Sequence, residues 1–283
     1  MKILRATHLG MCFGVRDAIS LALGQPKPPT ILGELVHNET VLCQLHEHGI
    51  TIKSEPAAVS TSTVMITAHG ASQRRLAEIH ARGLRVIEAT CPLVHAAHRA
   101  VRRLVREGWH PVIVGQREHV EVRGIIEDLD EFDVILTEEN VARLVERPRF
   151  GVVAQTTQPI DRVKRLVAAL GARFPKSEVR FVDTVCQPTK LRQHAAVELA
   201  RQCDVVVVIG GANSNNTREL AATCAAHCPR VHHVQTAEDL QPDWFAGAVT
   251  VGVTAGTSTP DETIDVVEQR LYEFAGAPLA HAT

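Results

Sequence analysis

Aromatic residues make up only 4% of this 283-residue chain, with two tryptophans and one tyrosine. So sparse a set leaves little material for the stacked platforms on which single-stranded nucleic acids bind. Neither sign of charge is in excess: 30 Lys and Arg face 32 Asp and Glu, a net charge of −2. That balance gives no electrostatic footprint for nucleic acid or an anionic membrane, and neither is expected as a partner. No apolar run approaches the roughly 20 residues of a membrane span, the longest candidate being 205–209. The N-terminus shows no apolar signal core. The 7 cysteines are odd in number and lack regular close spacing, so they do not read as a disulfide framework. Reduced thiols and a cytoplasmic location are the expectation. Glycine-rich signatures are missing too. Ile209-Gly210-Gly211-Ala212-Asn213 is not a dinucleotide fingerprint, and no phosphate-binding Gly-x-x-x-x-Gly-Lys-Ser/Thr occurs. With no nucleotide cofactor expected, electrons for any redox chemistry would have to come from a partner protein.

What is present is ordinary globular material, 45% hydrophobic and 22% charged. Short β-rich runs alternate with amphipathic stretches, which predicts an α/β fold built on parallel sheets. Strands are expected over 2–6, 30–33, 64–67, 84–88, 111–114, 133–136, 150–154, 178–182, 205–209, 230–234 and 250–253. Helical periodicity covers 15–23, 73–82, 94–107, 160–174, 191–203, 218–227 and 261–274. The run 205–209 is apolar on both faces, as a central parallel strand must be. The chain exceeds the usual single-domain size, so two or three lobes are expected. Pro26-Lys27-Pro28-Pro29 reads as a turn, and the tail 276–283 as frayed.

Three of the cysteines repeat one local pattern. Cys12, Cys91 and Cys186 each fall where an expected strand gives way to an expected helix, one per third of the chain. The repeat suggests three similar lobes, 1–90, 91–185 and 186–283, with parallel sheets in pseudo-threefold symmetry around a central site. A lone cysteine would read as a small buried apolar residue; three at one topological position do not. An iron–sulfur cubane normally takes four cysteines, so three would leave one iron open to substrate. The other four cysteines read differently. Cys43 and Cys203 sit in helical patterns and are expected in the core. Cys224 and Cys228 are one helical turn apart, and no second ligand pair has zinc-finger spacing, so a metal role is not assigned to them.

Polar clusters repeat alongside the cysteines. The first of each third is Leu35-Val36-His37-Asn38, His119-Val120-Glu121 or Asn213-Ser214-Asn215-Asn216-Thr217. The second is Ala68-His69-Gly70, Gln155-Thr156-Thr157 or Ala255-Gly256-Thr257-Ser258. All follow strands, and ligands of open parallel sheets bind at strand C-termini, where helix N-termini also point. The set is rich in imidazoles, hydroxyls and amides and poor in cations, which suits an oxyanion or phosphate. Glu121 is the one carboxylate among these clusters. It is either a surface charge beside Arg123 or, in a partly dry cavity, a proton donor.

At these residues the chain resembles the 4-hydroxy-3-methylbut-2-enyl diphosphate reductases, which complete the methylerythritol phosphate route to isoprenoid precursors. The motifs that carry the resemblance are Gly10-Met11-Cys12-Phe13-Gly14-Val15, Val36-His37-Asn38, Ala68-His69-Gly70, Ala89-Thr90-Cys91-Pro92-Leu93-Val94, Gln155-Thr156-Thr157 and the stretch from Gly252 through Ser258. They span essentially the whole chain. The resemblance implies a [4Fe-4S] cluster on Cys12, Cys91 and Cys186 whose unique iron binds the substrate's allylic alcohol. It implies that His37, His69, His119, Ser214, Asn215, Asn216 and Ser258 hold the diphosphate, and that Glu121 and Thr156 handle the hydroxyl and its proton. It implies a ferredoxin- or flavodoxin-type electron donor. Departures from the family pattern fall at Val120, Arg123, Asn215 and Gln187-Pro188 and bear on the diphosphate contacts and substrate preference. Two alternatives stay open from residues alone: another three-cysteine iron–sulfur enzyme resembling quinolinate synthase, and a non-catalytic redox sensor on the same fold.

Overall fold

Among residues 1–276, those described in the computed structural model, twelve strands pair only in parallel and form three four-stranded sheets. One sheet joins β1 (Lys2–Arg5), β12 (Thr250–Ala255), β10 (Val205–Ile209) and β11 (Val231–Val234) in that order. The second runs β3 (Thr51–Lys53), β2 (Thr30–Leu32), β4 (Thr63–Ile66), β5 (Arg85–Glu88). The third runs β7 (Asp133–Ile135), β6 (His110–Val114), β8 (Arg149–Ala154), β9 (Glu178–Phe181). The three share one order. In each, the strand that leads into a cysteine lies at an edge, beside the strand that ends in the second polar cluster. The chain closes this pattern through its first strand: β1 pairs with β12, Ile3 opposite Val251. Division by chain thirds therefore differs from sheet membership at residues 2–5, which belong to the sheet of the last third.

The described chain forms two compact units. Met1–Val15, His37–Val41 and the residues from Gln187 onward make one, which holds the first sheet. Arg16–Val36 and Leu42–Cys186 make the other, with the remaining two sheets.

Burial follows from the strand sequences. In β10 every residue is fully buried, and successive side chains serve opposite faces. Val205, Val207 and Ile209 pack with Ile264, Val267 and Leu271 of α10 (Asp261–Phe274). Val206 and Val208 pack with Ala196 and Ala200 of α8 (Gln187–Ala200) and with Leu220 and Cys224 of α9 (Asn215–Ala225). The third sheet is covered likewise. Val112 and Val152 face Val163, Leu166 and Leu170 of α7 (Ile160–Arg173). Ile113 and Val153 face Val101 and Leu104 of α4 (Pro92–Arg106) and Val122 and Ile125 of α5 (Val120–Ile126). Each fully buried Val or Leu contributes about 1.5–3 kcal/mol over an exposed one.

Some expectations need correction. β3 is not anticipated, because its three residues carry only one half-buried apolar side chain, Ile52. α8 starts at Gln187 and α9 at Asn215, several residues before their apolar periodicity begins, since their first turns are polar. Cys203 follows the turn after α8 and packs half-buried against the core, and Cys43, on α2 (Glu39–Glu47), is exposed rather than core. The expected frayed tail, 276–283, lies outside the described residues except for Gly276. No described helix is long and apolar enough to cross a membrane.

Candidate active site

The three cysteines share a local geometry. Each is the residue immediately before a helix: Cys12 before α1 (Phe13–Leu23), Cys91 before α4 and Cys186 before α8. Each donates its backbone N–H to a carbonyl of a second polar cluster. Cys12 bonds Thr257 at 3.0 Å, Cys91 bonds Ala68 at 3.0 Å and Cys186 bonds Thr156 at 2.9 Å. The segment that follows each edge strand is thus tied to the segment that follows its neighbour, beyond the sheet, and the cysteine turns into its helix from that anchor. All three thiols are half-buried and none is in a disulfide. A half-buried thiol outside any disulfide, set in the turn before a helix, is within reach of an incoming metal and fits the role of ligand.

In the unit with two sheets, the expected residues form one contiguous string. Ala68, which anchors Cys91, precedes His69. The His69 ring meets the His119 ring edge-on, centroids 5.5 Å apart. Gly70 closes the turn after His69 with φ of 81°, a conformation glycine adopts without strain. His119 caps α5, its Nδ1 accepting the Glu121 N–H at 3.2 Å. Glu121 is 1% exposed, so its placement at the surface beside Arg123 is excluded. Its carboxyl is gripped at both oxygens by Thr156, whose N–H donates to Oε1 at 2.7 Å and whose hydroxyl donates to Oε2 at 2.8 Å. The Thr156 carbonyl in turn anchors Cys186. Burial raises the Glu121 pKa and outweighs the Thr156 hydrogen bonds that lower it, leaving it at about 7. Beneath this string, burial pushes the His98 pKa down to about 4, so its imidazole is neutral.

In the other unit the set is a mesh of neutral dipoles. Ser214 caps α9, its hydroxyl accepting the Thr217 N–H at 3.3 Å. Asn216 Oδ1 accepts the Thr257 N–H at 2.8 Å, and Thr257 anchors Cys12. Ser258 donates its hydroxyl to the His37 carbonyl at 3.3 Å. Gly211 lies so close to that carbonyl that a Cβ there would stand 2.7 Å from it. Asn215 is 2% exposed, yet neither its Nδ2 nor its Oδ1 has a partner, and the buried Thr217 hydroxyl has none either. Buried polar atoms left in this state require an explanation, and a bound polar ligand is one. Thr217 and Thr257 lie within the polar clusters but are not among the expected diphosphate ligands; their only sequence signal is their place beside Asn216 and Ser258.

The departures also find their places. Val120 is the first residue of α5 and Asn215 the first of α9. Pro188 sits in the first turn of α8, where a missing N–H costs nothing. Arg192, on the same helix, donates from Nε to the Gly10 carbonyl at 2.9 Å, fixing the segment that leads into Cys12. Cys224 and Cys228 are buried, and burial pushes the Cys224 pKa up to about 12, so its thiol is neutral core material.

Comparison with known proteins agrees with this geometry. The family model described as LytB protein matches residues 3–272. The 4-hydroxy-3-methylbut-2-enyl diphosphate reductase of Pelobacter propionicus is 39% identical over 278 residues, covering 97% of this chain and 99% of the relative. The reductase of that name from Aquifex aeolicus is 38% identical, covering 99% of each chain. Among solved structures, one of (E)-4-hydroxy-3-methyl-but-2-enyl diphosphate reductase, the terminal enzyme of the non-mevalonate pathway, is 37% identical. It aligns with a TM-score of 0.68 over 96% of this chain and 100% of that one. The structure of the E-1-hydroxy-2-methyl-but-2-enyl-4-diphosphate reductase from Plasmodium falciparum, 24% identical, shares the fold with a TM-score of 0.92, covering 100% of this chain and 93% of that one.

Proposed function

The chain belongs to the LytB protein family, and from that premise we infer that it reduces 4-hydroxy-3-methylbut-2-enyl diphosphate in the cytoplasm. The allylic hydroxyl leaves as water, two electrons and two protons are consumed, and isopentenyl and dimethylallyl diphosphates are formed. Cys12, Cys91 and Cys186, one from each lobe of the division 1–90, 91–185 and 186–283, would hold a [4Fe-4S] cluster. Their common position before a helix, their half-burial and their freedom from disulfides fit that role. When bound, the cluster supplies the electrons, and an iron without a protein ligand acts as Lewis acid on the hydroxyl.

The chain's own residues supply binding and protons. Ser214, Asn215, Asn216 and Ser258, with His37, His69 and His119, bind the diphosphate. The partnerless atoms of Asn215 support the assignment, because ligand oxygens would complete their hydrogen bonding. His119 and Ser214 cap α5 and α9, and partial positive charge at the start of α9, beside Ser214, Asn215 and Asn216, favours an anion. Glu121 donates the proton that lets oxygen depart. A carboxyl with a pKa of about 7 is substantially protonated at neutral pH, as a general acid must be. Thr156 orients it by two hydrogen bonds and offers its hydroxyl as the second member of the relay. Electrons come from a ferredoxin- or flavodoxin-type donor.

The observation that carries this reading is the double grip of Thr156 on a buried Glu121, made by the residue whose carbonyl anchors Cys186. A redox sensor has no need of a poised, desolvated acid. The test is anaerobic turnover of the allylic diphosphate with dithionite and methyl viologen as reductants. Formation of the two five-carbon diphosphates is expected. No turnover by protein carrying its full iron and sulfide would overturn the reading.

A further inference from the structure

Helix α4 has a chemistry along its outer face that the reaction does not use. Its inner face, Val94, Ala97, Val101 and Leu104, is buried. Its outer face carries Arg99, Arg102, Arg103 and Arg106, spaced three and four apart so that they stand together. Arg103 is committed: its Nε donates to Glu107 at 2.7 Å, and Glu107 also takes Arg180 at 2.6 Å. Asp128, the carboxylate that lines the same groove, accepts the backbone N–H groups of Gln73 at 2.8 Å and Arg74 at 3.2 Å. Arg99, Arg102 and Arg106 make no ion pair among the described residues. Arg106 lies in the last turn, where the helix dipole explains a cation. Arg99 and Arg102 lie too far from the end for that. In a chain of net charge −2 such a concentration of positive charge, four arginines against the one carboxylate lining the same groove, is local, not a reflection of overall basicity.

The stripe borders a groove of about 550 Å³ between α4 and Asp128-Leu129, in which Val105 is 42% exposed. An apolar spot rimmed by charge resembles a small protein interface. Without an aromatic side chain lining it, the groove is poorly made for nucleic-acid bases. The stripe is also aligned with a thiol. At 100° per residue, Cys91, His95, Arg99, Arg102 and Arg106 fall within an arc of about 80°. The helical rise puts Arg99 about 12 Å and Arg106 about 22 Å along the axis from Cys91.

We propose that the arginine face of α4 is the docking surface for an acidic, one-electron carrier protein that delivers electrons toward Cys91. The proposal rests on the assignment of Cys91 as a cluster ligand. Each encounter oxidises one reduced carrier by one electron, and two encounters supply one turnover. The two protons come from solution, one of them through Glu121, and the hydroxyl oxygen leaves as water. Charge complementarity of this kind acts mainly on the rate of encounter and weakens with salt.

The test compares two reductants on the holoenzyme under anaerobic conditions: a reduced acidic plant-type [2Fe-2S] ferredoxin, and dithionite with methyl viologen. The triple variant Arg99→Glu/Arg102→Glu/Arg106→Glu is expected to raise the KM for ferredoxin at least tenfold at low salt. It should remove or reverse the rise of that KM with salt, because the reversed face repels the carrier and salt screens that repulsion, and leave turnover with the chemical reductant within twofold of the parent. Arg143→Glu/Lys164→Glu/Lys176→Glu, exposed positions elsewhere in the same unit, makes the same change of net charge and should leave the ferredoxin KM nearly unchanged. An unchanged ferredoxin KM in the α4 variant, or an equal rise in the control, would overturn the docking surface. So would tight, salt-sensitive binding of duplex DNA lost in the α4 variant without any change in that KM. Failure of the parent to turn over with dithionite and methyl viologen would instead refute the proposed reaction.

Discussion

The two compact units carry different kinds of chemistry. The unit with two sheets holds the buried acid Glu121, its partner Thr156, the facing imidazoles His69 and His119, and two of the three candidate ligand thiols. Cys12 and His37 apart, the other unit offers hydroxyls and amides: Ser214, Asn215, Asn216, Thr217 and Ser258. A proton donor needs a dry setting that shifts its pKa, and burial supplies one for Glu121. An anion needs dipoles already aimed at it, and helix starts supply those without any net charge. The difference predicts a kinetic split, with losses of kcat in one unit and losses of affinity in the other.

Cys12 is where that split should break, with the largest effect of all. It lies in the unit of neutral dipoles, yet it repeats the anchoring of Cys91 and Cys186 bond for bond. Cys12→Ser, Cys91→Ser and Cys186→Ser are each expected to lose bound iron together with all activity, measured by anaerobic iron and sulfide assay beside turnover. A Cys12→Ser protein with a full complement of iron would mean that the ligands reside in one unit alone.

Glu121→Gln should sharpen the comparison. The amide keeps the shape of the side chain but has no acidic proton to give. A fall in kcat of about 10²–10⁴-fold is expected, the usual contribution of general acid catalysis, with KM and iron content unchanged. The pH dependence has a definite sign. Burial raises this pKa to about 7, so the competent protonated form prevails below that value and is lost as pH rises through it. The kcat of the parent should therefore decline above about pH 7, and the residual rate of the Gln variant should be flat across the same range. A parent-like kcat in the variant would remove the acid from the mechanism.

Much of this was legible in the sequence, for reasons that residues make plain. The strand 205–209 declares itself because burial on both faces demands an unbroken apolar run. The three cysteines declare themselves by recurring at one topological position. What the sequence hid is of two kinds. β3 is too short and too exposed to leave a pattern, and the polar first turns of α8 and α9 carry no apolar periodicity. Tertiary facts were hidden as well. Nothing local to Glu121 distinguishes a surface ion pair with Arg123 from a carboxyl closed in by Thr156, 35 residues away. The anchoring of Cys12 by Thr257 likewise needs β1 to join the last sheet, a pairing between the two ends of the chain.

On the side of the neutral dipoles, smaller effects are expected. Ser258→Ala removes a hydroxyl, and Asn216→Ala removes an amide whose Oδ1 holds the Thr257 N–H. The loss of one hydrogen bond to a charged group costs about 1.5–3 kcal/mol, roughly a ten- to a hundredfold weakening. Pyrophosphate affinity, measured by calorimetry, should fall by that factor in both variants, with KM rising and kcat nearly constant. If kcat falls instead while pyrophosphate binds as before, the units do not divide the work in this way.

The smallest effect belongs to a thiol of the same unit that the site does not use. Cys224 is fully buried among the α8 and α9 side chains, and its nearest acceptor is the Ala196 carbonyl at 4.0 Å. Burial holds the thiol neutral, with a pKa near 12, which is the opposite of what a metal ligand requires. Cys224→Ser places a more polar hydroxyl in the same apolar surroundings, where a poorly satisfied group costs about 1–3 kcal/mol. Thermal unfolding should shift down by a few degrees, while iron content, kcat and pyrophosphate affinity stay at parent values. Cys224→Ala, which buries no hydroxyl, should separate polarity from packing by costing less than the serine if polarity dominates. Loss of iron in a folded Cys224→Ser protein would make this thiol a ligand after all, and position before a helix would no longer distinguish the cysteines that hold metal from those that fill the core.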